Sequence, residues 1–324
     1  MKVCIAGVGA IGGFVGARLG AAGHEMSALA RGATLEALRR HGLRLDQGGE
    51  RIAAPVRAGE DAARLGAQDL VVIAVKGPGL GAIAPRIAPL LGPDTVVVPA
   101  MNGVPWWFFD GLPGPFAGTR LESIDPGGAI AAAIPTRHVV GCVVHASCST
   151  PEPGLVRHAM GAGLIVGEPV GGRSARVEGL VQELARAGFE AKLSERIQQD
   201  LWYKLWGNMT INPVSALTGA TADRILDDPL VRDFCSAAMG EAAAIGAKIG
   251  CAVTQSAEER HAVTRKLGAF KTSMLQDAEA GRPMEIDGLL TAVREIGAKV
   301  GVATPNIDAL LGLARLFARV KGLY

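Results

Sequence analysis

The strongest constraint on the fold is a glycine-rich turn between an apolar strand and a helix at the start of the chain. Residues 3–6 are apolar and suit a buried strand, and residues 7–12 read Gly-Val-Gly-Ala-Ile-Gly. A helical segment to about Ala22 follows, and then a second apolar strand that ends at Leu29–Ala30. This strand–turn–helix–strand order is the context in which GxGxxG binds a dinucleotide.

Each glycine of the motif has its own physical task. Gly7 permits a tight bend, Gly9 lets a pyrophosphate approach the backbone, and Gly12 lets the helix pack close to the strand. The N–H groups at the start of the helix, at Ala10 and Ile11, face the anion. The spacing alone is a weak signal in a chain with 44 glycines, and a structural turn in another α/β protein is the alternative.

The end of the second strand predicts which dinucleotide binds. Enzymes that bind NAD usually carry Asp or Glu there, to hold the ribose 2′-hydroxyl. Here no acid is present, and Arg31 follows Ala30. A guanidinium fork matches a 2′-phosphate, so Arg31 predicts NADP(H); the alternative is a solvated loop residue.

Composition excludes several classes of protein. Lys and Arg number 33 against 31 Asp and Glu, so the charge is nearly balanced and indicates no nucleic-acid partner. No apolar run approaches the ~20 residues that cross a bilayer, and strand signals at the first residues leave no room for a signal peptide. Five scattered cysteines and the histidine spacing predict neither disulfides nor a metal site. We therefore expect a cytoplasmic protein.

Two further apolar strands end in polar residues. Residues 69–76 run into Lys76, and residues 95–101 run into Asn102. Continuous apolar strands are typical of parallel sheets, whose ligands bind at the carboxyl ends. We therefore predict that Lys76 and Asn102 lie beside the glycine turn, although each alone could be a solubilising residue.

An aromatic run follows Asn102 in a chain that is only 4% aromatic. Residues 104–109 read Val-Pro-Trp-Trp-Phe-Phe and lead into a Gly/Pro-rich loop to Gly128. The run is either a wall of the active site that sets substrate size or an apolar segment packed on the protein body.

Strand signals disappear after residue 193. Residues 139–145 and 154–166 are expected to extend the sheet, and helices are expected at about 195–212, 228–250, 255–279, 285–300 and 305–320. The fold class is therefore an α/β, Rossmann-like doubly wound domain over 1–193, followed by an all-α domain over 194–324.

The first predicted helix of the second domain carries a polar face. Lys204, Asn208 and Asn212 recur every four residues, and Pro213 is expected to end or kink the helix. A lysine can act as a proton donor, and amides can orient a carbonyl and its developing oxyanion. A solvated helix face is the alternative.

A second cluster begins at Ser273. Its hydroxyl could bind a substrate carboxylate, and Glu285 could bind a ribose hydroxyl or hold a lysine charged. By spacing alone both suit ordinary helix-surface or capping positions.

Together these motifs resemble the ketopantoate reductase family, from Lys2 to about Leu311. The matching positions are GxGxxG at Gly7–Gly12, Arg31, Lys76, Asn102-Gly103, Lys204-xxx-Asn208-xxx-Asn212-Pro213 and SMLQDxxxGRPxEID at Ser273–Asp287. The last string is far more specific than the glycine motif. The resemblance implies NADPH-dependent reduction of 2-dehydropantoate to (R)-pantoate, in pantothenate biosynthesis, at a site where a Rossmann domain meets a helical domain.

The resemblance also implies roles on the substrate side. Lys204 is expected to be the general acid, Asn208 and Asn212 to hold the hydroxyl and carbonyl oxygens, and Ser273 to bind the carboxylate. Asn102 is expected between the nicotinamide and the substrate.

On the cofactor side, the resemblance implies that the Gly7–Gly12 turn holds the pyrophosphate and that Arg31 holds the 2′-phosphate. Lys76 and Asn102 are expected near the same cofactor, and Glu285 at its ribose.

Several positions depart from the family pattern. Pro105 replaces a glycine, the run Trp106–Phe109 follows it, Ala222 stands where an asparagine is common, and residues 289–291 replace an Asn-Gly pair. A reductase of a larger or less polar 2-oxo acid is therefore a second hypothesis. A β-hydroxy acid dehydrogenase and a non-catalytic NADPH-binding regulatory module are two more. The expected partners are a small 2-oxo acid and, as one possibility, a second copy in a homodimer, with no nucleic acid or membrane.

Overall fold

The structure is a computed structural model that describes all 324 residues. The chain divides into two compact units. The first unit comprises Met1–Met101 and Gly127–Ile197, and the second comprises Asn102–Pro126 and Gln198–Tyr324. The sequence places a single boundary at residues 193–194, whereas the second unit also contains Asn102–Pro126. A change in strand and helix signals marks the end of a continuous domain, but it does not reveal an inserted segment of this kind.

The strands all lie in the first unit. In chain order they are β1 (Lys2–Ala6), β2 (Glu25–Leu29), β3 (Leu43–Gln47), β4 (Glu50–Ala54), β5 (Arg57–Gly59), β6 (Gln68–Ile73), β7 (Leu91–Pro99), β8 (Gly141–Glu152), β9 (Leu155–Gly167) and β10 (Glu190–Leu193). The helices of this unit are α1 (Ala10–Ala21), α2 (Gly32–His41), α3 (Gly77–Ile83), α4 (Ala129–Ala133) and α5 (Ala175–Arg186).

The first sheet is parallel and has the order β5-β2-β1-β6-β7. The chain leaves β1 toward β2 on one side and later places β6 on the other side, so β1 and β6 flank the point where the strand order reverses. Ligands of open α/β sheets bind at the carboxyl ends of strands at such a point. The predicted Rossmann-like domain is therefore confirmed.

The expectation that residues 139–145 and 154–166 extend this sheet is wrong. β8 and β9 pair with each other and build a second sheet with β3, β4 and β10, in the order β10-β9-β3-β4. Only an isolated bridge between Val97 and Val139 continues the first sheet. Apolar patterning identifies a strand but not its partner, which explains the error.

Helix α1 is packed between the two sheets through its glycines. A Cβ at Gly16 would lie 2.9 Å from the Ile5 side chain of the first sheet, and one at Gly13 would lie 2.5 Å from Val156 of the second. A helix that is apolar on all sides is buried on all sides. The helix that starts at the glycine motif is thereby fixed against both sheets.

The second unit is helical, as predicted. Its helices are α6 (Ile197–Thr218), α7 (Ala222–Asp227), α8 (Pro229–Lys248), α9 (Ala257–Arg265), α10 (Ser273–Glu279), α11 (Ala292–Val300) and α12 (Pro305–Val320), with a π-helical turn at Asp287–Thr291. None of the helices combines the length and the apolar character that a membrane crossing requires.

Two details of the helical prediction are wrong. The first helix is expected to end at residue 212, whereas α6 continues through Pro213 to Thr218. A proline removes one N–H and crowds the preceding turn, but burial of residues on both sides of it keeps the helix intact. The single helix expected over 255–279 is two helices, α9 and α10, with a break that includes Gly268 at φ +64°.

Candidate active site

The glycine turn has the geometry that its sequence predicts. Gly7 has φ +97°, and a Cβ there would lie 2.6 Å from the Val75 side chain. A Cβ at Gly12 would lie 2.1 Å from the carbonyl oxygen of Gly7, so this glycine permits the close approach of α1. Around Gly9, by contrast, no atom lies within 4 Å of the Cβ position. That open side leaves room for a pyrophosphate next to the backbone.

The start of α1 is also suited to an anion. Gly9 is the N-cap residue, and no side chain caps the helix there. The N–H groups of Ala10, Ile11 and Gly12 form the first turn, where a helix attracts negative charge. The residues present therefore fit a dinucleotide phosphate.

Arg31 and Lys76 lie at the same edge of the first sheet as the turn. Arg31 is exposed, follows β2 and is the N-cap of α2. Lys76 is half-buried, follows β6 and is the N-cap of α3. β2 and β6 both pair with β1 in parallel, so their carboxyl ends lie beside the carboxyl end of β1. The first unit thus collects Arg31, Lys76 and the glycine turn at one edge.

In the second unit, three predicted site residues form a hydrogen-bonded group. Lys204 Nζ donates to Asn102 Oδ1 over 2.9 Å. Asn102 Nδ2 in turn donates to Glu285 Oε2 over 3.3 Å. We call these residues the Lys204–Asn102–Glu285 triplet. All three are half-buried, so the amide bridges a cation and an anion in a partly desolvated setting.

A contact between two glycines holds Asn102 in place. Gly103 has φ +85°, and a Cβ there would lie 2.5 Å from the carbonyl carbon of Gly288. The N–H of Val104 donates to the carbonyl oxygen of Gly288 over 2.9 Å. Gly288 lies in the π-helical turn, shortly after Glu285. This segment therefore fixes the backbone beside Asn102 and carries the carboxylate that accepts from its amide.

The remaining predicted substrate residues lie on two helices. Asn208 is half-buried and Asn212 is 7% exposed, both on α6 with Lys204. Their spacing of four places them along one side of that helix. Ser273 is exposed as the first residue of the short helix α10, where Thr272 is the N-cap. The structure thus brings Lys204, Asn102 and Glu285 into contact, but it shows no hydrogen bond between Ser273 and that triplet.

The aromatic run belongs to the interior of the second unit. Trp106, Trp107, Phe108 and Phe109 are all buried, and the most exposed of them is only 6% exposed. The Phe108 ring packs 6.0 Å from the Trp202 ring of α6, centroid to centroid. Of the two interpretations of the sequence, the structure favours packing on the protein body.

Sequence reasoning did not find the anchor of the following loop. Glu295 on α11 accepts hydrogen bonds from the N–H groups of Glu122 and Ser123 and from Ser123 Oγ. Burial raises the pKa of Glu295, but these bonds and Lys299 together outweigh it and leave the pKa below the ordinary value of 4.5. A lone glutamate on a helix gives no signal of a partner 172 residues away.

Comparisons with known proteins identify the family of the chain. Residues 3–106 match the family model Ketopantoate reductase PanE/ApbA, and residues 196–318 match its C-terminal model. A 2-dehydropantoate 2-reductase of Mesorhizobium japonicum is 48% identical over 325 residues and covers all of both chains.

Solved structures give the same result. A protein of Ralstonia solanacearum MolK2, provisionally assigned as a ketopantoate reductase, is 61% identical with a TM-score of 0.97 and covers 100% of this chain and 99% of its own. A D-mandelate dehydrogenase solved with NADH and anilino(oxo)acetate shares the fold, with a TM-score of 0.86, 22% identity and full coverage of both chains. The chain therefore belongs to the ketopantoate reductase family of oxidoreductases.

Proposed function

We propose that this protein reduces 2-dehydropantoate to (R)-pantoate with NADPH, using Lys204 as the proton donor. The observation that carries the proposal is the Lys204–Asn102–Glu285 triplet, in a chain that also carries a dinucleotide turn. Reduction of a ketone needs a hydride and a proton from two sources. The first unit contains residues suited to binding the hydride donor, and the second unit contains a group suited to donating the proton.

NADPH is the reductant of this family, and the first unit contains residues that fit it. The glycine turn and the start of α1 would hold the pyrophosphate, and Arg31 would hold the 2′-phosphate. When bound, the nicotinamide supplies the hydride. Lys76 adds a positive charge at the same sheet edge.

Lys204 has a suitable position for the proton. Its ammonium carries three N–H donors, so it can donate to the Asn102 carbonyl oxygen and to an alkoxide at the same time. Asn102 cannot rotate without losing its bond to Glu285, so it holds the ammonium in one orientation. As negative charge develops on the substrate oxygen, Lys204 neutralises it by transferring the proton.

Asn208 and Asn212 are proposed to bind the substrate oxygens. Both lie on α6 with Lys204, at intervals of four residues. Amide groups orient a carbonyl and a hydroxyl without adding charge. Ser273 is proposed as an additional hydroxyl donor to the carboxylate.

The burial of the aromatic run supports 2-dehydropantoate as the substrate over a bulkier 2-oxo acid. The departure at Trp106–Phe109 is the main reason to consider a bulkier 2-oxo acid, and these side chains pack within the second unit instead. Ala222 is likewise buried, at the start of α7, where its N–H donates to the carbonyl of Phe270. These departures therefore have a structural explanation.

A substrate panel tests the proposal. The purified protein is assayed for oxidation of NADPH and of NADH with 2-dehydropantoate, an aromatic 2-oxo acid and a 3-oxo acid. We expect the highest kcat/KM with 2-dehydropantoate and NADPH. A preference for the aromatic 2-oxo acid or the 3-oxo acid would replace this substrate assignment, and cofactor binding without turnover of any oxo acid would refute the enzyme assignment.

A further inference from the structure

One cation of the second unit has no anionic partner although its position is fixed. Arg260 on α9 is half-buried, and its guanidinium forms no ion pair with a carboxylate. Its Nε is fully buried and has no hydrogen-bond partner. A buried donor without an acceptor costs free energy, so the packing around Arg260 holds its Nε against α6 at a cost.

Neighbouring groups hold this guanidinium in place. It lies over the ring of Tyr203 on α6, with Cζ 5.3 Å from the ring centroid. Tyr203 Oη donates to Gln255 Oε1 over 2.7 Å, which fixes the ring. A capping box of Ser256 and Glu259 fixes the first turn of α9, from which Arg260 extends. The cation is therefore preorganised rather than free to move in solvent.

Gly207 is the residue that admits the guanidinium to the surface of α6. A Cβ at this position would lie 2.7 Å from Arg260 Nε and 2.8 Å from Nη2, closer than real contacts allow. Gly207 lies in the helical turn between Lys204 and Asn208. Arg260 thus lies against the segment of backbone that carries the proposed acid and the first proposed substrate amide.

The charges of the proposed site leave a negative substrate unbalanced. Lys204 contributes one positive charge and Glu285 one negative charge, so the triplet is neutral as a whole. Asn208, Asn212 and Ser273 are uncharged. A 2-oxo acid brings a carboxylate, which is costly to desolvate without a cation. A guanidinium supplies the missing charge and binds a carboxylate through two parallel hydrogen bonds.

We propose that Arg260 is a substrate-binding residue that pairs with the carboxylate of the 2-oxo acid. The inference rests on the proposed reduction of a 2-oxo acid. It adds a charged group to the hydroxyl of Ser273, and it identifies the feature of the substrate that this group selects. The protein therefore discriminates 2-oxo acids from neutral carbonyl compounds through Arg260.

The experiment compares an acid with its neutral analogue. Steady-state kcat and KM are measured with NADPH for 2-dehydropantoate and for its primary amide. The variants are Arg260→Gln, which removes the charge, and Arg260→Lys, which keeps the charge but loses the planar fork. Lys266→Gln is the matched control, because Lys266 is exposed at the end of the same helix and its loss changes the net charge equally.

We expect Arg260→Gln to raise KM for the acid about 10- to 100-fold, the range for a hydrogen bond to a charged group. We expect kcat to change less than about threefold, because the charge on the carboxylate does not change during the reaction. For the primary amide, Arg260→Gln should change KM little. For the acid, the KM of Arg260→Lys should lie between those of the wild type and Arg260→Gln, and the KM of Lys266→Gln should match the wild type. Equal losses for acid and amide, or an unchanged KM for the acid, would overturn the assignment.

A binding measurement separates this inference from the proposed reaction. Calorimetry with pantoate in the presence of NADP⁺ should show weaker binding to Arg260→Gln and unchanged affinity for NADP⁺ alone. Gly207→Ala should weaken the binding of pantoate in the same way, since the new methyl group displaces the guanidinium of Arg260. If the wild type turns over 2-dehydropantoate while both variants bind pantoate normally, the role of Arg260 in binding the carboxylate is refuted and the proposed reaction stands. If the wild type turns over no oxo acid, both proposals fail together.

Discussion

Lys204 donates a hydrogen bond to the side-chain amide of Asn102, and this affects how it can act as a proton donor. The oxygen of the Asn102 amide accepts from Lys204, and its nitrogen donates to Glu285. The carboxylate thereby orients the amide, and the amide orients the ammonium.

This arrangement makes a prediction for Asn102→Asp. An aspartate can accept from Lys204 but cannot donate to Glu285, and its charge would repel the second carboxylate. We expect a loss in kcat of about 10- to 100-fold, from a misplaced proton donor and a lost charged hydrogen bond. Steady-state assays measure it, and Glu285→Gln in the same background should restore part of the activity. A single variant with normal kcat would show that Asn102 does not position Lys204.

Arg31 makes a separate prediction about cofactor choice. It is exposed after β2, where no acid is available for a ribose hydroxyl. We expect Arg31→Ala to raise KM for NADPH about 10- to 100-fold, as for a lost bond to a charged group, and to change KM for NADH less than about threefold. Initial rates with both cofactors measure the ratio. Equal effects on NADPH and NADH would show that Arg31 does not contact the 2′-phosphate.

At the scale of elements, two glycines connect the segment after β7 to the π-helical turn. Gly103 needs a positive φ, and Gly288 leaves space for its backbone. π-Helical turns recur at functional sites, and here the turn carries the carbonyl that accepts from Val104. Backbone geometry thus places Asn102, whose side chain contacts the proposed proton donor Lys204.

Alanine substitutions test this glycine contact. Gly103→Ala should lower kcat strongly, since the new Cβ would lie 2.5 Å from Gly288 and the positive φ of this position is unfavourable for alanine. Gly288→Ala should lower kcat less, because the atom nearest to the new Cβ would lie 3.4 Å away. We expect kcat to fall about 100-fold for Gly103→Ala, as a misplacement near 1 Å costs, with unchanged affinity of the first unit for NADP⁺.

Gly312→Ala is the matched control for these substitutions. Gly312 lies on α12 with open space around its Cβ position, so alanine should preserve kcat and stabilise the helix by roughly 0.5–1 kcal/mol. Thermal melts of all three variants separate loss of stability from loss of positioning. Normal kcat in a folded Gly103→Ala protein would show that the contact does not position the site.

Sequence reasoning reached some elements of this molecule and not others. The turn at Gly7–Gly12 is predictable because its function requires a local backbone shape, and the structure has that shape. The second sheet is not predictable from patterning, because β8 and β9 would suit either sheet equally well. Similarly, the residue types of Lys204 and Glu285 indicate a polar site, but their link through Asn102 depends on contacts across 102 and 183 positions.

At the scale of the whole molecule, α12 presents an apolar stripe to solvent. Leu313, Leu316 and Val320 are 58%, 62% and 76% exposed. Their spacing of three and four places them on one face of the helix. This face is the surface on which a homodimer can be tested.

Sedimentation of the wild type and of Leu316→Glu provides that test. We expect a wild-type dimer at micromolar concentration and a monomer for the variant, because a charge in an apolar interface is costly. Val170→Glu is the matched control, since Val170 is 72% exposed and belongs to the first unit, not to α12. A wild-type monomer, or a dimer that persists in Leu316→Glu, would contradict the use of this face.

The central claim is that Lys204 donates the proton in an NADPH-dependent reduction of 2-dehydropantoate. The most direct measurement is the rate of NADPH oxidation with this substrate by the wild type and by Lys204→Ala, together with the chirality of the product. The account predicts (R)-pantoate from the wild type and a loss in kcat of roughly 10²- to 10⁴-fold in the variant, with NADPH affinity nearly unchanged. Full activity in Lys204→Ala would contradict it.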